Sequence, residues 1–248
     1  MLALTGKKMV VIGGSRSVGR QIAERGIGSG AHVLAVARNL EPLTRLAEEL
    51  PGLEILALDA TREDAPSKVF QKLPPDILVL CAGAFPPTAP LHEQSWEEFA
   101  VNWETDVKIA FHFCRAALSL PLARGSSIIL ISSGAALAGS PITGGYAGAK
   151  RTQLFIANYA QKEADRLDLG LEFSALAPRM MPDTELGERA VAAYSRYLGI
   201  SRSDFIKSMD EPPAPSDIAA AVMRIAADPA PSKGKVYVVS GKGLVAVS

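Results

Sequence analysis

The chain has 248 residues, of which 48% are hydrophobic and 21% are charged, a composition typical of a folded globular protein and not of a disordered one. It carries 26 basic and 26 acidic residues, and this formal net charge of zero indicates neither a nucleic acid nor an anionic membrane surface as a partner. The first residues become polar too soon for a signal peptide, and no apolar run is long enough to cross a bilayer, so we expect a cytoplasmic protein.

Cysteines and histidines show no pattern of metal ligands. Cys81 and Cys114 form no CxxC motif and are typical of core residues. The three histidines, His32, His92 and His112, lack the spacing that zinc ligands show. We therefore predict that the protein holds no metal.

Short apolar runs of β type alternate with helical patterns along the whole chain. The pattern predicts strands at residues 7–12, 31–37, 53–58, 76–82, 126–131, 171–177 and 235–240. It predicts helices at residues 18–30, 41–50, 64–73, 95–122, from about 146 to 167, and 216–227, the last with Ser216 as its N-cap. Uniformly apolar strands that alternate with helices favour an α/β fold, a doubly wound parallel sheet of about seven strands with helices on both faces. We predict one domain over residues 1–248.

One segment, at about residues 180–215, interrupts this alternation. It follows the carboxyl end of the sixth strand, where substrate pockets are usual, and it is rich in methionine and aromatic residues. We interpret it as one or two helices that form a lid over a substrate site. An ordinary helical excursion is the alternative.

Tyr146 and Lys150 are four residues apart, shortly after Ser132 and Ser133 and at the start of the helix that follows the fifth strand. Residues at this spacing share a helix face, so both side chains can point into one cleft. A neighbouring ammonium favours the phenolate and lowers the pKa of a tyrosine, so Tyr146 could exchange a proton with a substrate oxygen. For this motif alone, an exposed lysine and a packed tyrosine on an amphipathic helix are the alternative.

A glycine-rich turn at residues 13–20, GGSRSVGR, connects the first strand to the first helix. Such a turn lets the backbone approach a pyrophosphate, and a helix N-terminus favours negative charge. Arg16 lies in the turn, and Arg38 ends the second strand, where an acid would favour the cofactor without a 2′-phosphate. Two guanidinium groups beside the adenosine ribose suit that phosphate, so we predict NADP(H). Two solvated arginines are the alternative.

With these features together, the chain resembles the short, single-domain branch of the short-chain dehydrogenase/reductase family over nearly its whole length. The family's TGxxxGxG loop corresponds to residues 12–19, its NNAG motif to residues 80–83, and its catalytic Ser, Tyr and Lys to Ser133, Tyr146 and Lys150. The cofactor-binding residues that this resemblance implies are Gly13, Ser15, Arg16, Ser17, Val18, Gly19, Arg38, Asp59, Cys81, Ala82, Gly83, Tyr146, Lys150, Pro178 and Thr184.

The resemblance also implies individual roles. Tyr146 would be the acid/base and Ser133 the anchor of the carbonyl, while Lys150 would bind ribose hydroxyls and lower the pKa of the tyrosine. Asp59 would contact the adenine, and Thr184 approximates the threonine that helps to hold the nicotinamide carboxamide. Family members are usually dimers or tetramers, so we expect a homo-oligomer, most simply a tetramer.

Some positions depart from the family pattern. Ser17 replaces the middle glycine of the cofactor loop, and Arg179 replaces the glycine of the PG motif that begins at Pro178. The family's active-site Asn, which holds a water in the proton relay, aligns with Asp106, and Asn102 lies one helical turn earlier. Either residue could therefore take its place, and we include Asp106 among the candidate catalytic residues.

Leu80 and Cys81 also replace the two asparagines of the family's NNAG motif.

We predict an NADP(H)-dependent carbonyl reductase or alcohol dehydrogenase with a small-molecule substrate. The altered motifs leave a second possibility, a regulatory protein that binds NADP(H) with little or no turnover. A lyase or isomerase built on the same site is a third possibility, which no residue selects.

Overall fold

One mixed sheet forms the centre of the computed structural model, which describes residues 4–247. Its strands follow the order β3-β2-β1-β4-β5-β6-β7-β8. They are Lys8–Ile12 (β1), His32–Ala37 (β2), Glu54–Ala57 (β3), Ile77–Leu80 (β4), Ser127–Ile131 (β5), Glu172–Pro178 (β6), Val236–Ser240 (β7) and Gly243–Ala246 (β8). Strands β1 to β7 pair in parallel, and the strand order reverses at β1. The doubly wound parallel sheet is therefore confirmed.

Strand β8 is an addition to the seven predicted strands. It pairs antiparallel with β7, with Ser240 opposite Gly243. The strand has only four residues at the edge of the sheet and most of its side chains are exposed. Such a short exposed strand lacks the buried apolar run by which the other strands were recognised.

Helices cover the sheet and its carboxyl edge. They are Ser17–Gly28 (α1), Leu40–Glu49 (α2), Ala65–Lys72 (α3), Trp96–Asn102 (α4), Lys108–Ser119 (α5), Ala135–Ala138 (α6), Gly144–Arg166 (α7), Glu185–Leu198 (α8), Arg202–Lys207 (α9) and Pro215–Ala227 (α10). The prediction that Ser216 caps the last helix is wrong, because α10 begins one residue earlier at Pro215 and Ala214 is its N-cap. Proline is favoured in the first turn of a helix, where no backbone donor is needed.

The sheet is buried on both faces. Adjacent residues of β1 point to opposite sides, with Val10 in the core beneath α3, α5 and α7 and Val11 in the core beneath α1, α2 and α10. Phe113 of α5 and Ile22 of α1 are fully buried representatives of the two layers. Within residues 4–247, no helix has the length and the apolar character that a membrane span requires.

The segment predicted as a lid contains two helices, α8 and α9, between β6 and α10. Tyr194 of α8 stacks on Phe205 of α9, with ring centroids 5.3 Å apart and ring planes 7° from parallel. Gly199 ends α8 in the left-handed conformation, with φ of 67°, which turns the chain back into α9. The two helices therefore form a packed pair that follows the carboxyl end of β6.

Candidate active site

The side chains expected to act in catalysis meet at the carboxyl edge of the sheet. Ser132 and Ser133 follow β5 directly, and the Ser132 hydroxyl donates to the Lys150 carbonyl of α7 at 2.8 Å. The Gly134 amide donates to the Pro178 carbonyl at the end of β6 at 2.7 Å. These bonds hold the ends of β5 and β6 beside the first turns of α7, which carry Tyr146 and Lys150.

The ammonium group of Lys150 is enclosed by acceptors. The side chain is 6% exposed, and three oxygens lie within hydrogen-bonding distance of Nζ: Asp106 Oδ2 at 3.0 Å, Gln153 Oε1 at 3.1 Å and the Ile131 carbonyl at 3.2 Å. An ammonium has three N–H donors, so acceptors and donors are equal in number. Burial alone would lower the pKa of Lys150, but nearby Asp106 and Tyr146 outweigh it, and the pKa is raised.

The helix predicted at residues 95–122 is divided by a π-helical segment, Trp103–Val107, between α4 and α5. A π turn inserts an extra residue and changes which side chains face inward, and such turns are frequent at functional sites. Asp106 lies in this segment. Its main-chain carbonyl accepts a hydrogen bond from Gln153 Nε2 at 3.1 Å. The π turn thus presents both the carboxylate and the carbonyl of Asp106 to α7.

The Asp106 carboxylate is 1% exposed and is held on several sides. Its Oδ1 accepts from the Ala84 amide at 2.9 Å and from Asn102 Nδ2 at 3.2 Å. A Cβ atom at Gly83 would lie only 2.7 Å from Asp106 Oδ2, so a glycine is needed there for the carboxylate to reach Lys150. Asp106 and Asn102 were the two residues that could take the place of the family's active-site Asn. Asp106 contacts Lys150, and Asn102 donates a hydrogen bond to Asp106.

Tyr146 lies one helical turn before Lys150, whose Nζ is 5.6 Å from the centre of the tyrosine ring. Tyr146 is half-buried, and its partial removal from water raises its pKa, with smaller contributions from Asp106 and Cys81, while Lys150 and a hydrogen bond with Ser133 act to lower it. Lys150 therefore acts in the expected direction, but the net shift is upward. The removal of the phenol from water outweighs the effect of the ammonium.

The glycine-rich turn after β1 packs against the end of β4. Gly13 adopts φ of 89°, and a Cβ there would lie 2.6 Å from the Ala82 nitrogen. Ser17, at the position of the family's middle glycine, adopts the left-handed region with φ of 45°. The backbone thus takes the conformation expected of a glycine even though the residue is serine. Ser15 is half-buried, whereas Val18 and Gly19 are buried at the start of α1.

Arg16 does not project freely from this turn. Its Nη1 lies 2.7 Å from Glu185 Oε2 of α8, and its guanidinium lies 4.6 Å from the centre of the Phe85 ring. Arg189 of α8 lies 4.0 Å from the centre of the same ring and is itself paired with Glu185 at 2.7 Å. These four side chains, Arg16, Phe85, Glu185 and Arg189, form a cluster that we call the latch. It joins the glycine-rich turn to α8.

Arg38 and Asp59 lie at the ends of β2 and β3, both exposed. Hydrogen bonds from the Thr61 amide and hydroxyl, at 3.0 and 2.8 Å, lower the pKa of Asp59, and Arg38 contributes to the lowering. No ion pair within residues 4–247 includes Arg38. Arg38 is thus the more available of the two predicted phosphate ligands.

A helix cap and two ion pairs hold the two ends of the segment that contains α8 and α9. Thr184 caps α8, accepting from the Gly187 amide at 3.0 Å and donating to the Met181 carbonyl at 2.9 Å. Arg179, at the position of the family's second PG residue, pairs with Asp210 beyond α9 at 3.1 Å, and Lys242 of the β7–β8 turn pairs with Asp210 at 2.7 Å.

A second contact joins α8 to the loop that precedes Tyr146. The Tyr194 hydroxyl lies 2.6 Å from the Ser140 hydroxyl, which also accepts from the Thr143 amide at 3.0 Å. Arg179 thus joins the end of β6 to the chain beyond α9, and Tyr194 joins α8 to the loop before Tyr146.

Several of these residues escaped the sequence analysis. Gln153 lies three residues after Lys150 and so shares its helix face, a spacing that would have found it. Phe85 and Glu185 carry no local signal, because their partners are distant in sequence. The burial of Cys81 raises the pKa of its thiol to about 11, and both cysteines are free. Among residues 4–247, no three His, Cys, Asp or Glu side chains are grouped as a metal site.

Comparison with known proteins adds a family to this geometry. Residues 7–194 match the family model for short chain dehydrogenase. The chain is 28% identical over 200 residues to a 3beta-hydroxysteroid dehydrogenase of Mediterraneibacter gnavus, covering 75% of this chain and 70% of that protein. It is 32% identical to a short chain dehydrogenase of Pseudocercospora fijiensis, covering 74% and 62%, and 27% identical to a sorbitol dehydrogenase of Cereibacter sphaeroides, covering 82% and 81%.

Proposed function

The chain belongs to the short-chain dehydrogenase family, and from this premise we propose that it is an NADP(H)-dependent carbonyl reductase or alcohol dehydrogenase. The observation that carries the proposal is the grouping of Ser133, Tyr146 and Lys150 at the carboxyl edge of the sheet. Ligands of doubly wound sheets bind at this edge, near the strand-order reversal. The reaction class is oxidoreduction of a small molecule.

The residues present fit a dinucleotide. The glycine-rich turn lies at the N-terminus of α1, and Gly13 has the positive φ that brings its backbone against the end of β4. Arg38 offers an exposed guanidinium and Asp59 a carboxylate at the neighbouring strand ends. Pro178 and Thr184 lie where the lid leaves the sheet. We assign the 2′-phosphate to Arg38 first and to Arg16 second, because Glu185 already neutralises Arg16.

The bound nicotinamide would supply the hydride acceptor or donor, and the protein would handle the oxygen. Ser133 holds the substrate oxygen by a hydrogen bond. Tyr146 donates its phenolic proton to that oxygen as a carbonyl becomes an alcohol, or accepts the proton in the reverse direction. Lys150 stabilises the resulting phenolate through its nearby positive charge. The predicted contact of Lys150 with ribose hydroxyls requires one of its three present acceptors to give way.

The substrate we infer is an apolar carbonyl compound or secondary alcohol. The lid contributes Met181, Tyr194 and Phe205, which offer apolar and aromatic surface. The relatives are named for a hydroxysteroid and a sugar alcohol, both of which carry secondary alcohol groups. Their substrates differ in size, and what they share is the secondary alcohol that reacts.

We further propose a homo-oligomer, a tetramer in the simplest case. Helices α5 and α7 leave aromatic side chains exposed: Phe111, Phe155 and Tyr159, which are 49%, 45% and 62% exposed. Phe155 and Tyr159 stack with ring centroids 6.2 Å apart and so form a continuous apolar patch. A patch of this kind favours burial against another subunit. The two free thiols agree with a reducing compartment, so we keep the cytoplasm as the proposed location.

A screen of NADPH oxidation against ketones and aldehydes, with Tyr146→Phe as the control, tests the proposal. We expect turnover of at least one apolar ketone by the unmodified protein and its loss in the variant. Cofactor binding without turnover of any compound in either direction would favour the regulatory alternative instead.

A further inference from the structure

We propose that Asp106 is the counter-ion of Lys150 and so weakens the stabilisation that Lys150 gives to the Tyr146 phenolate, which favours proton donation to carbonyls over proton acceptance from alcohols. The inference rests on the proposed function and adds to it the direction of the reaction that the site favours. Asp106 is then a positioning residue, since it acts on the substrate only through Lys150 and Tyr146.

The geometry supports the compensation of the Lys150 charge by the Asp106 carboxylate. Asp106 Oδ2 lies 3.0 Å from Lys150 Nζ, and the two side chains are 1% and 6% exposed. At this depth water screens the pair little, so the carboxylate cancels much of the field that the ammonium exerts on its surroundings. The centre of the Tyr146 ring lies 5.6 Å from the same ammonium, so the phenol experiences a positive charge that Asp106 partly offsets.

The surrounding contacts fix the carboxylate in place. Asp106 Oδ1 accepts from Ala84 and Asn102, and Gln153 bridges the Asp106 carbonyl to the Lys150 ammonium. Gln153 is 1% exposed, so its amide fills the space between these two groups. The carboxylate is therefore held next to Lys150 by its own hydrogen bonds and cannot turn away without breaking them.

The other groups that face Tyr146 do not alter this balance. Ser133, after β5, is a neutral hydroxyl, and Cys81, after β4, stays a thiol at neutral pH because burial raises its pKa to about 11. Burial of the phenol and the Asp106 charge both raise the pKa of Tyr146, against Lys150 and Ser133. A phenol whose pKa is raised is protonated at neutral and mildly alkaline pH. It can then donate a proton across that range, whereas the phenolate needed for alcohol oxidation is scarce.

The test is a spectrophotometric titration of tyrosinate in the cofactor-free protein. Subtracting the curve of Tyr146→Phe isolates Tyr146 from the other four tyrosines. We expect its midpoint to lie above the ordinary value of about 10. In Asp106→Asn, corrected with Asp106→Asn/Tyr146→Phe, the midpoint should fall by about one unit or more, because Lys150 is no longer compensated.

Two further variants keep the test decisive. Lys150→Met/Asp106→Asn removes both charges, so its midpoint should return towards the unmodified value, and it avoids a buried unpaired ion if the single variant fails to fold. Glu104→Gln removes an exposed carboxylate from the same π-helical segment and should leave the midpoint unchanged. Circular dichroism at each pH verifies that the fold persists.

A midpoint at or below the ordinary tyrosine value in the unmodified protein would overturn the inference. So would an equal midpoint in folded Asp106→Asn, or an equal fall in Glu104→Gln. None of these readings requires turnover. If they fail while Tyr146→Phe abolishes reductase activity, the proposed function survives without this inference. If the midpoints behave as expected but Tyr146→Phe keeps full activity, the proposed function fails instead.

Discussion

Arg16 and Glu185 are joined across the proposed cofactor cleft, with Arg16 Nη1 at 2.7 Å from Glu185 Oε2. Arg16 belongs to the glycine-rich turn and Glu185 to the first turn of lid helix α8. Both Arg16 and Arg189 lie over the Phe85 ring, which adds cation–π contacts to the ion pair. In this conformation, therefore, a residue expected to bind phosphate is engaged by the lid.

Glu185→Gln should strengthen NADPH binding, because Arg16 would be released for phosphate. Both partners are about half exposed, and such pairs contribute up to about 1 kcal/mol, so we expect a gain of about two- to fivefold. Titration of cofactor fluorescence measures the dissociation constant. Glu188→Gln, an exposed change of the same charge on α8, is the matched control. Weaker binding in Glu185→Gln, or an equal gain in the control, would contradict a competing role of Glu185.

Arg38→Asp should reverse the cofactor preference from NADPH to NADH. A charge-assisted hydrogen bond contributes about 1.5–3 kcal/mol, so losing it and adding a repelling carboxylate should weaken NADPH binding at least about tenfold. The introduced carboxylate would also offer an acceptor to the free ribose hydroxyl of NADH. Arg45→Asp, exposed on α2, makes the same change of charge away from the strand end. Equal affinities of the unmodified protein for the two cofactors would refute the assignment of NADP(H).

The strands and the Ser133, Tyr146 and Lys150 positions were accessible from sequence because each depends on local pattern. A strand buried on both faces is a continuous apolar run, and a four-residue spacing fixes a shared helix face. Other features depend on contacts between distant residues. The π turn brings Asp106 next to Lys150, which is 44 positions later in the sequence. The carboxylate fits there because Gly83 has no side chain.

The direction of the Tyr146 pKa shift also could not be predicted from spacing. The spacing revealed the ammonium, which lowers the pKa, but not the burial and the Asp106 carboxylate that raise it. The latch was equally hidden, since Arg16 and Glu185 are 169 positions apart. Which charged side chains pair depends on the three-dimensional fold. A charge that is paired acts less strongly on a ligand or on a neighbouring side chain.

Gly83→Ala should destabilise the protein and disturb the site. The added Cβ would lie 2.7 Å from Asp106 Oδ2, so the buried carboxylate must shift away from Lys150. Overpacking of this kind costs about 1–3 kcal/mol, which calorimetry would detect as a lower melting temperature. Gly28→Ala is the matched control, because nothing lies within 4 Å of a Cβ at that helical position. A melting temperature for Gly83→Ala equal to that of the control would show that the carboxylate is not so confined.

Tyr159→Glu should weaken self-association by placing a charge in the exposed aromatic patch of α7. Light scattering at micromolar concentration should give an oligomer for the unmodified protein and a smaller species for the variant. Tyr197→Glu, an equally drastic change at an exposed tyrosine of α8, should leave the mass unchanged. A monomeric mass for the unmodified protein would refute the proposed assembly.

The most direct test of the central claim is turnover by Tyr146→Phe on a ketone that the unmodified protein reduces with NADPH. If the Tyr146 phenol delivers the proton, the variant should lose at least about 10²–10⁴-fold in rate, since general acid catalysis contributes that range. NADPH should still bind it, because the glycine-rich turn and Arg38 are untouched, and Tyr159→Phe should retain full activity. A Tyr146→Phe variant that binds NADPH and reduces the ketone as fast as the unmodified protein would contradict the account.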